Sequence, residues 1–76
     1  MAHLTPKEFA VLYCLARKTG EVVSKRELLN QAWDFAYDGD VNIVEVYISS
    51  LRRKIDAPFK TSMLVTVRGA GYRLEA

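Results

Sequence analysis

Cysteine is all but missing from this 76-residue chain, which has one, Cys14. A lone thiol cannot close an internal disulfide, so a core must hold the fold, and a reducing cytoplasm is the expected location. No apolar run approaches the ~20 residues that a membrane span needs, and the start lacks a secretory-leader pattern. Metal-ligand spacing is wanting too. His3 is the single histidine and lies far from Cys14 in sequence, and no paired carboxylates fall in an expected cleft. These gaps speak against an enzyme, a cofactor or a membrane protein. Cys14 fits a buried place in the first helix better than a nucleophile, and Trp33 fits the core end of the second helix better than a base-stacking platform.

What is there is half apolar, so folding is expected rather than disorder. A chain this short makes one domain with a thin core, burying only ~60% of its surface. The net charge of +2 is unevenly spread: residues 1–40 hold five basic and six acidic groups, residues 41–76 six basic and three acidic. A polyanion should therefore meet the C-terminal half.

Two helix starts can be read from capping chemistry. Thr5-Pro6-Lys7-Glu8 combines a Thr cap, proline at the first helical position and Glu at the third, with Leu4 and Phe9 as a hydrophobic staple. Leu12, Tyr13, Leu15 and Ala16 continue an apolar stripe, Gly20 suits a left-handed terminator, and the helix is expected over about 5–18. Ser24-Lys25-Arg26-Glu27 repeats the box with Val23 and Leu28 as staple, giving a second helix over about 24–33. Glu21-Val22-Val23 between them is too short for more than a brief strand or turn.

The third helix, about 42–55, places Val44, Ile48, Leu51 and Ile55 at spacings of four, three and four, an amphipathic period. Its opposite face carries Asn42, Val46, Ser49, Ser50 and Arg53. Small polar groups, an exposed valine and an arginine suit the floor of a DNA major groove, where Val meets a thymine methyl and Arg reaches phosphate or guanine. Read from the helix alone, an ordinary solvated face fits equally well. Asp56 to Ser62 reads as a loop, with Pro58 ending the helix. Met63–Val67 alternates, Gly69-Ala70-Gly71 turns the chain, and Tyr72-Arg73-Leu74 returns with Tyr72 and Leu74 inward, a β-hairpin over about 63–75. Two strands alone are marginal, so the hairpin must lean on the helices. Its tip, flanked by Arg68 and Arg73, has the bareness and charge to enter a minor groove.

Leu4-Thr5-Pro6-Lys7-Glu8-Phe9, Val22 to Leu28, Val44 to Lys54 and Val67 to Leu74 together resemble, over nearly the whole chain, the C-terminal effector domain of OmpR/PhoB-type response regulators. The resemblance implies an α+β, mostly α, winged helix-turn-helix that binds double-stranded DNA and controls transcription in a two-component phosphorelay. It implies base-edge contacts from Val46 and Ser50 and phosphate contacts mainly from Asn42, Ser49, Arg52 and Arg53. Thr66 and Arg68 match wing positions, with Arg68 directed at the minor groove. Ser49 and Ser50 depart from the Arg or Lys often found there. Partners implied are RNA polymerase, a phosphorylatable receiver domain and a second copy on paired DNA half-sites. The family domain normally opens with a four-stranded antiparallel sheet, and this chain matches only from the end of it. A fragment of a larger regulator or a trimmed variant is therefore expected, with Met1-Ala2-His3 foreign to it and Phe9, Leu12 and Tyr13 left open to solvent. A winged-helix module used only for protein contacts is the alternative from another class.

By the same resemblance, the segment 34–40 corresponds to the family's transactivation loop, where Phe35, Tyr37 and Asp38 suit a polymerase contact; a plain solvated loop is the alternative. A calcium loop is the rival: counting from Asp34 puts Asp38, Gly39 and Glu45 at EF-hand positions 5, 6 and 12. Ala36 stands where position 3 needs a ligand, which disfavours calcium.

Overall fold

The computed structural model describes residues 3–33 and 39–75. Along the chain run α1 (Pro6–Ala16), β1 (Val22–Val23), α2 (Lys25–Ala32), α3 (Ile43–Leu51), β2 (Leu64–Val67) and β3 (Gly71–Leu74). The expected start of α1 is there in full: the Thr5 hydroxyl accepts the Glu8 N–H at 3.2 Å, and Glu8 Oε1 accepts the Thr5 N–H at 2.8 Å. At α2 only half of the expected box forms. Ser24 Oγ accepts the Glu27 N–H at 3.0 Å, but the Glu27 carboxylate goes to Lys18 at 2.5 Å and Gln31 at 3.1 Å instead.

Glu21-Val22-Val23, read as a brief strand or turn, supplies the edge strand of a three-stranded antiparallel sheet ordered β1-β3-β2. Val22 stands opposite Arg73 and Val23 opposite Tyr72, so the hairpin is a two-plus-one sheet tied to the loop before α2. Only tertiary contact could decide this, since two residues carry no periodicity. Gly71 makes the approach possible. Its φ is +148°, and a Cβ built there would lie 2.1 Å from the Val23 carbonyl oxygen. Gly20, at φ +88°, turns the chain after α1 and donates its N–H to Leu74 O at 2.8 Å.

The core joins Val11, Cys14 and Leu15 of α1, Leu28 and Leu29 of α2, Val44, Ile48 and Leu51 of α3, and Val23, Leu64, Tyr72 and Leu74 of the sheet. On α1 the expected opening of the apolar stripe holds for Phe9 and Tyr13, which are 59% and 54% exposed and stack on each other, whereas Leu12 packs partly buried against the core. Burial pushes the Cys14 thiol above its usual pKa.

Pro58 does not simply end the third helix in a loop. With no N–H, and a ring that collides with the carbonyl four residues back, proline cannot continue an α-helix. The chain responds by widening to a π-turn over Arg52–Asp56 and tightening to a 3-10 turn over Ala57–Phe59. Lys60 follows at φ +54°; its N–H reaches Ala57 O at 3.2 Å while Thr61 N–H reaches Asp56 O at 3.0 Å, a Schellman closure on a non-glycine residue. Asp56 is buried and accepts from Thr61 Oγ1 at 2.9 Å and from the Met63 and Leu64 N–H groups at 3.1 Å each. Burial opposes its ionisation, but these donors outweigh burial and hold the carboxyl below its usual pKa. Asp56 thereby ties the end of the third helix to the start of β2.

No described helix is long and apolar enough to cross a membrane.

Candidate nucleic-acid interface

With Val44, Ile48 and Leu51 buried, α3 turns its other face outward. Asn42, Val46, Ser49 and Arg53 are all exposed, Val46 at 60%, and their spacing of four, three and four makes one straight strip along the helix. Asp40 leads into α3: its carboxylate accepts the Asn42 N–H at 2.9 Å, and its backbone carbonyl accepts the Ile43 N–H at 3.1 Å. Asn42 itself makes no side-chain cap, which leaves its amide group facing out.

Ser50 and Arg52 are held differently. The Ser50 hydroxyl donates to Glu8 Oε2 on α1, so its side chain turns to the flank of the strip. Arg52 reaches the sheet, donating from Nε to Leu64 O at 3.2 Å and from a terminal nitrogen to Thr66 Oγ1 at 2.5 Å. That arginine therefore bolts the hairpin against the third helix. Arg68 stands exposed at the hairpin turn, where Ala70 N–H reaches Val67 O at 3.0 Å and Gly69 takes φ +75°, as the third position of a type II turn requires. Arg73 is not beside the tip. It lies in mid-strand opposite Val22 and Val65, and it pairs with Glu75 at 2.7 Å. Thr66 is exposed, and Leu64 rather than Val65 or Val67 is the β2 residue sealed in the core.

Between α3 and the hairpin lies an open cleft of about 440 Å³, lined by Lys25, Glu45 and residues 66–72. Lys25, at the first position of α2, stands 3.3 Å from the Glu45 carboxylate. Sequence reading singled out neither as DNA-facing, since only the sheet packing brings α2, α3 and the hairpin to one place.

Behind the strip, Glu8 anchors the third helix to α1. It is buried, receives Lys54 Nζ at 2.7 Å and the Ser50 hydroxyl as well as the Thr5 N–H. The hydrogen bond from Lys54, then those from Ser50 and Thr5, lower its pKa from 4.5 to about 2 against the opposing effect of burial. At the other end of the helical layer, Trp33 and Tyr47 meet edge to face at 5.1 Å, with the Lys7 ammonium 5.0 Å from the indole. Phe35, Tyr37 and Asp38 lie outside the described residues, as does most of the calcium-loop reading. Glu45, its twelfth position, is engaged with Lys25, and among the described residues no cluster of acidic, His or Cys side chains could hold a metal ion.

This arrangement has counterparts. Residues 1–74 match the family described as "Transcriptional regulatory protein, C terminal". The chain belongs to that family. Its members regulate transcription, and the family is not one of enzymes. Among curated relatives, the transcriptional regulatory protein TcrA of Mycobacterium tuberculosis is 52% identical over 71 residues, covering 93% of this chain but 28% of TcrA. The RstA DNA-binding domain of Klebsiella pneumoniae, solved in complex with its RstA box, superposes with a TM-score of 0.81 at 32% identity, covering 97% of this chain and 74% of that one. The response regulator DrrB of Thermotoga maritima, an OmpR/PhoB homologue, superposes with a TM-score of 0.84 at 30% identity, covering 99% of this chain and 34% of DrrB. The fold is thus the winged-helix architecture of response-regulator DNA-binding domains, with α3 in the recognition position and β2–β3 as the wing. The chain spans less than a third of TcrA.

Proposed function

We propose that this chain binds double-stranded DNA sequence-specifically, as the output domain of a cytoplasmic two-component response regulator. α3 enters the major groove and the β2–β3 wing lies over the adjacent minor groove. The observation that carries this reading is the outward strip of Asn42, Val46, Ser49 and Arg53 beside a wing that presents Arg68. The arrangement of RstA, solved on its DNA box, supports it. Val46 reads a thymine methyl, Asn42 and Ser49 approach phosphate or base edges, Arg53 neutralises phosphate, and Arg68 seeks the narrow groove's negative potential. Ser50 reads bases only after leaving Glu8. Arg52 sets the wing's angle and reaches phosphate from there, and Thr66 stays close enough to join it. Arg73, paired with Glu75, contributes at the periphery.

The rest of the assembly follows from the resemblance and the share of TcrA left uncovered. A receiver domain supplies the signal, two copies sit on paired half-sites, and Phe35, Tyr37 and Asp38 touch RNA polymerase. Selection of duplexes from a random pool, followed by fluorescence anisotropy of the winner, tests the reading. Submicromolar binding that weakens with added salt supports it. Binding that is absent at moderate ionic strength leaves the module with protein contacts alone.

A further inference from the structure

The cleft between α3 and the wing holds a charge out of character with its surroundings. Glu45 is the one acidic side chain lining it among the described residues, on a surface that otherwise offers Lys25, Arg52, Arg53 and Arg68. At 100° per residue Glu45 lies about 40° around the helix from Ser49, on the wing side of the outward strip. It is 53% exposed at the side chain and rests against Lys25, itself 35% exposed, at 3.3 Å. A carboxylate brought to a duplex meets about one negative charge per 1.7 Å of axis. Its lysine partner meets the same phosphates with a carboxylate already beside it.

An exposed pair of this kind contributes little to folding and opens readily. Once a sugar-phosphate strand occupies the cleft, phosphate becomes the better partner for Lys25. Glu45 is then uncompensated beside a polyanion unless the groove floor offers it a hydrogen-bond donor. Among major-groove edges, G presents only acceptors and T an acceptor and a methyl. The adenine N6 donor sits beside the N7 acceptor, which repels a carboxylate, so the cytosine N4 amino group is the donor that a carboxylate matches.

From this we infer that Glu45 is a specificity-determining residue. Lys25 passes from Glu45 to a backbone phosphate on docking, and the freed carboxylate selects a base pair that presents a cytosine amino group. The inference rests on the DNA-binding reading above and adds Lys25 and Glu45 to its surface.

Random-pool duplex selection with the chain as it stands, with Glu45→Gln and with Lys25→Gln, tests it, each variant first checked for an unchanged melting curve. Wild type should select cytosine at one position where Glu45→Gln shifts the preference to adenine, whose N6 and N7 suit a glutamine amide. Glu45→Gln should also bind an unselected 20-base-pair duplex at least threefold more tightly, narrowing the gap to the selected one. Lys25→Gln should weaken both duplexes and reduce the log–log salt slope by about 0.9, one phosphate contact. An unchanged base preference in Glu45→Gln overturns the inference, even if affinity rises evenly. So does an unchanged salt slope in Lys25→Gln. If wild type binds no duplex in a salt-dependent way, the DNA reading itself falls and takes this inference with it, an outcome distinct from the other two.

Discussion

Glu8 shows how much one residue can carry beyond what its place in a motif announces. By sequence it is the acid of a capping box, but folding buries it and adds Lys54 and Ser50 from the third helix. Its folded carboxyl titrates at about 2 against an ordinary 4.5. As pH falls, the unfolded chain takes up the proton first, so the stabilisation is complete above pH 4.5 and is lost between there and pH 2. Asp56, whose pKa is also lowered, adds a loss in the same direction. Urea midpoints measured from pH 6 to pH 2 should drop through that window. Glu8→Gln, which leaves Lys54 without its counter-ion, should be less stable by about 2 kcal/mol at pH 7 and show a shallower acid limb. Gly71 is the second residue with consequences. A methyl there meets the Val23 carbonyl at 2.1 Å, so the β1–β3 pairing must shift to admit it. Gly71→Ala should cost more than about 2 kcal/mol in thermal unfolding. Gly69→Ala, where a Cβ meets open space at φ +75°, should cost about 1 kcal/mol from backbone strain alone.

At the scale of elements, α1 separates patterning from burial. The exposure of Phe9 and Tyr13 was legible, but the full burial of Val11 and the partial burial of Leu12 were not. Val11 is fully buried while Phe9 is 59% exposed, though both are apolar and only two positions apart. Val11→Ala should therefore destabilise by roughly 1–3 kcal/mol, and Phe9→Ala by less than about 0.5 kcal/mol, in chemical denaturation at neutral pH. The wing is likewise an element whose position is set from outside. Arg52→Ala removes the two bonds to Leu64 and Thr66. Stability should fall by about 1 kcal/mol, with hydrogen exchange faster at the β2 amides and unchanged in α1. The short strand β1 was illegible for a plain reason: two residues cannot show a period, and their pairing is fixed by a strand about fifty positions later.

For the whole molecule, the strip of α3, the wing and the N-terminus of α2 converge on one side, and the charge there decides how the chain meets a polyanion. Affinity for duplex should fall with salt along a log–log line of about −0.9 per phosphate contacted. Arg53→Ala should reduce that slope by about one contact and lower affinity for all sequences alike, as anisotropy titrations from 50 to 200 mM salt would report. The same convergence reassigns Ser50, Arg52 and Arg73. Composition and spacing mark them as polar or basic on the right elements, but side-chain partners within the fold decide where each one points. Phe35, Tyr37 and Asp38, outside the described residues, stay with the polymerase reading drawn from the resemblance.

Local chemistry was enough to determine the three helices, the cap at Thr5, the Gly20 turn and the hairpin. Each rests on interactions within a few residues, and those survive in any fold the segment joins. The outward strip of Asn42, Val46, Ser49 and Arg53 followed as well, because a 3.6-residue period fixes what lies opposite a buried stripe, though Ser50, read on the same face, turns aside to Glu8. What only the tertiary structure decided depends on contacts between distant segments: the third strand of the sheet, the widened turn held by Asp56, the burial of Glu8, and the meeting of Lys25 and Glu45 under the wing. Such contacts are set by packing geometry, which no window of sequence contains.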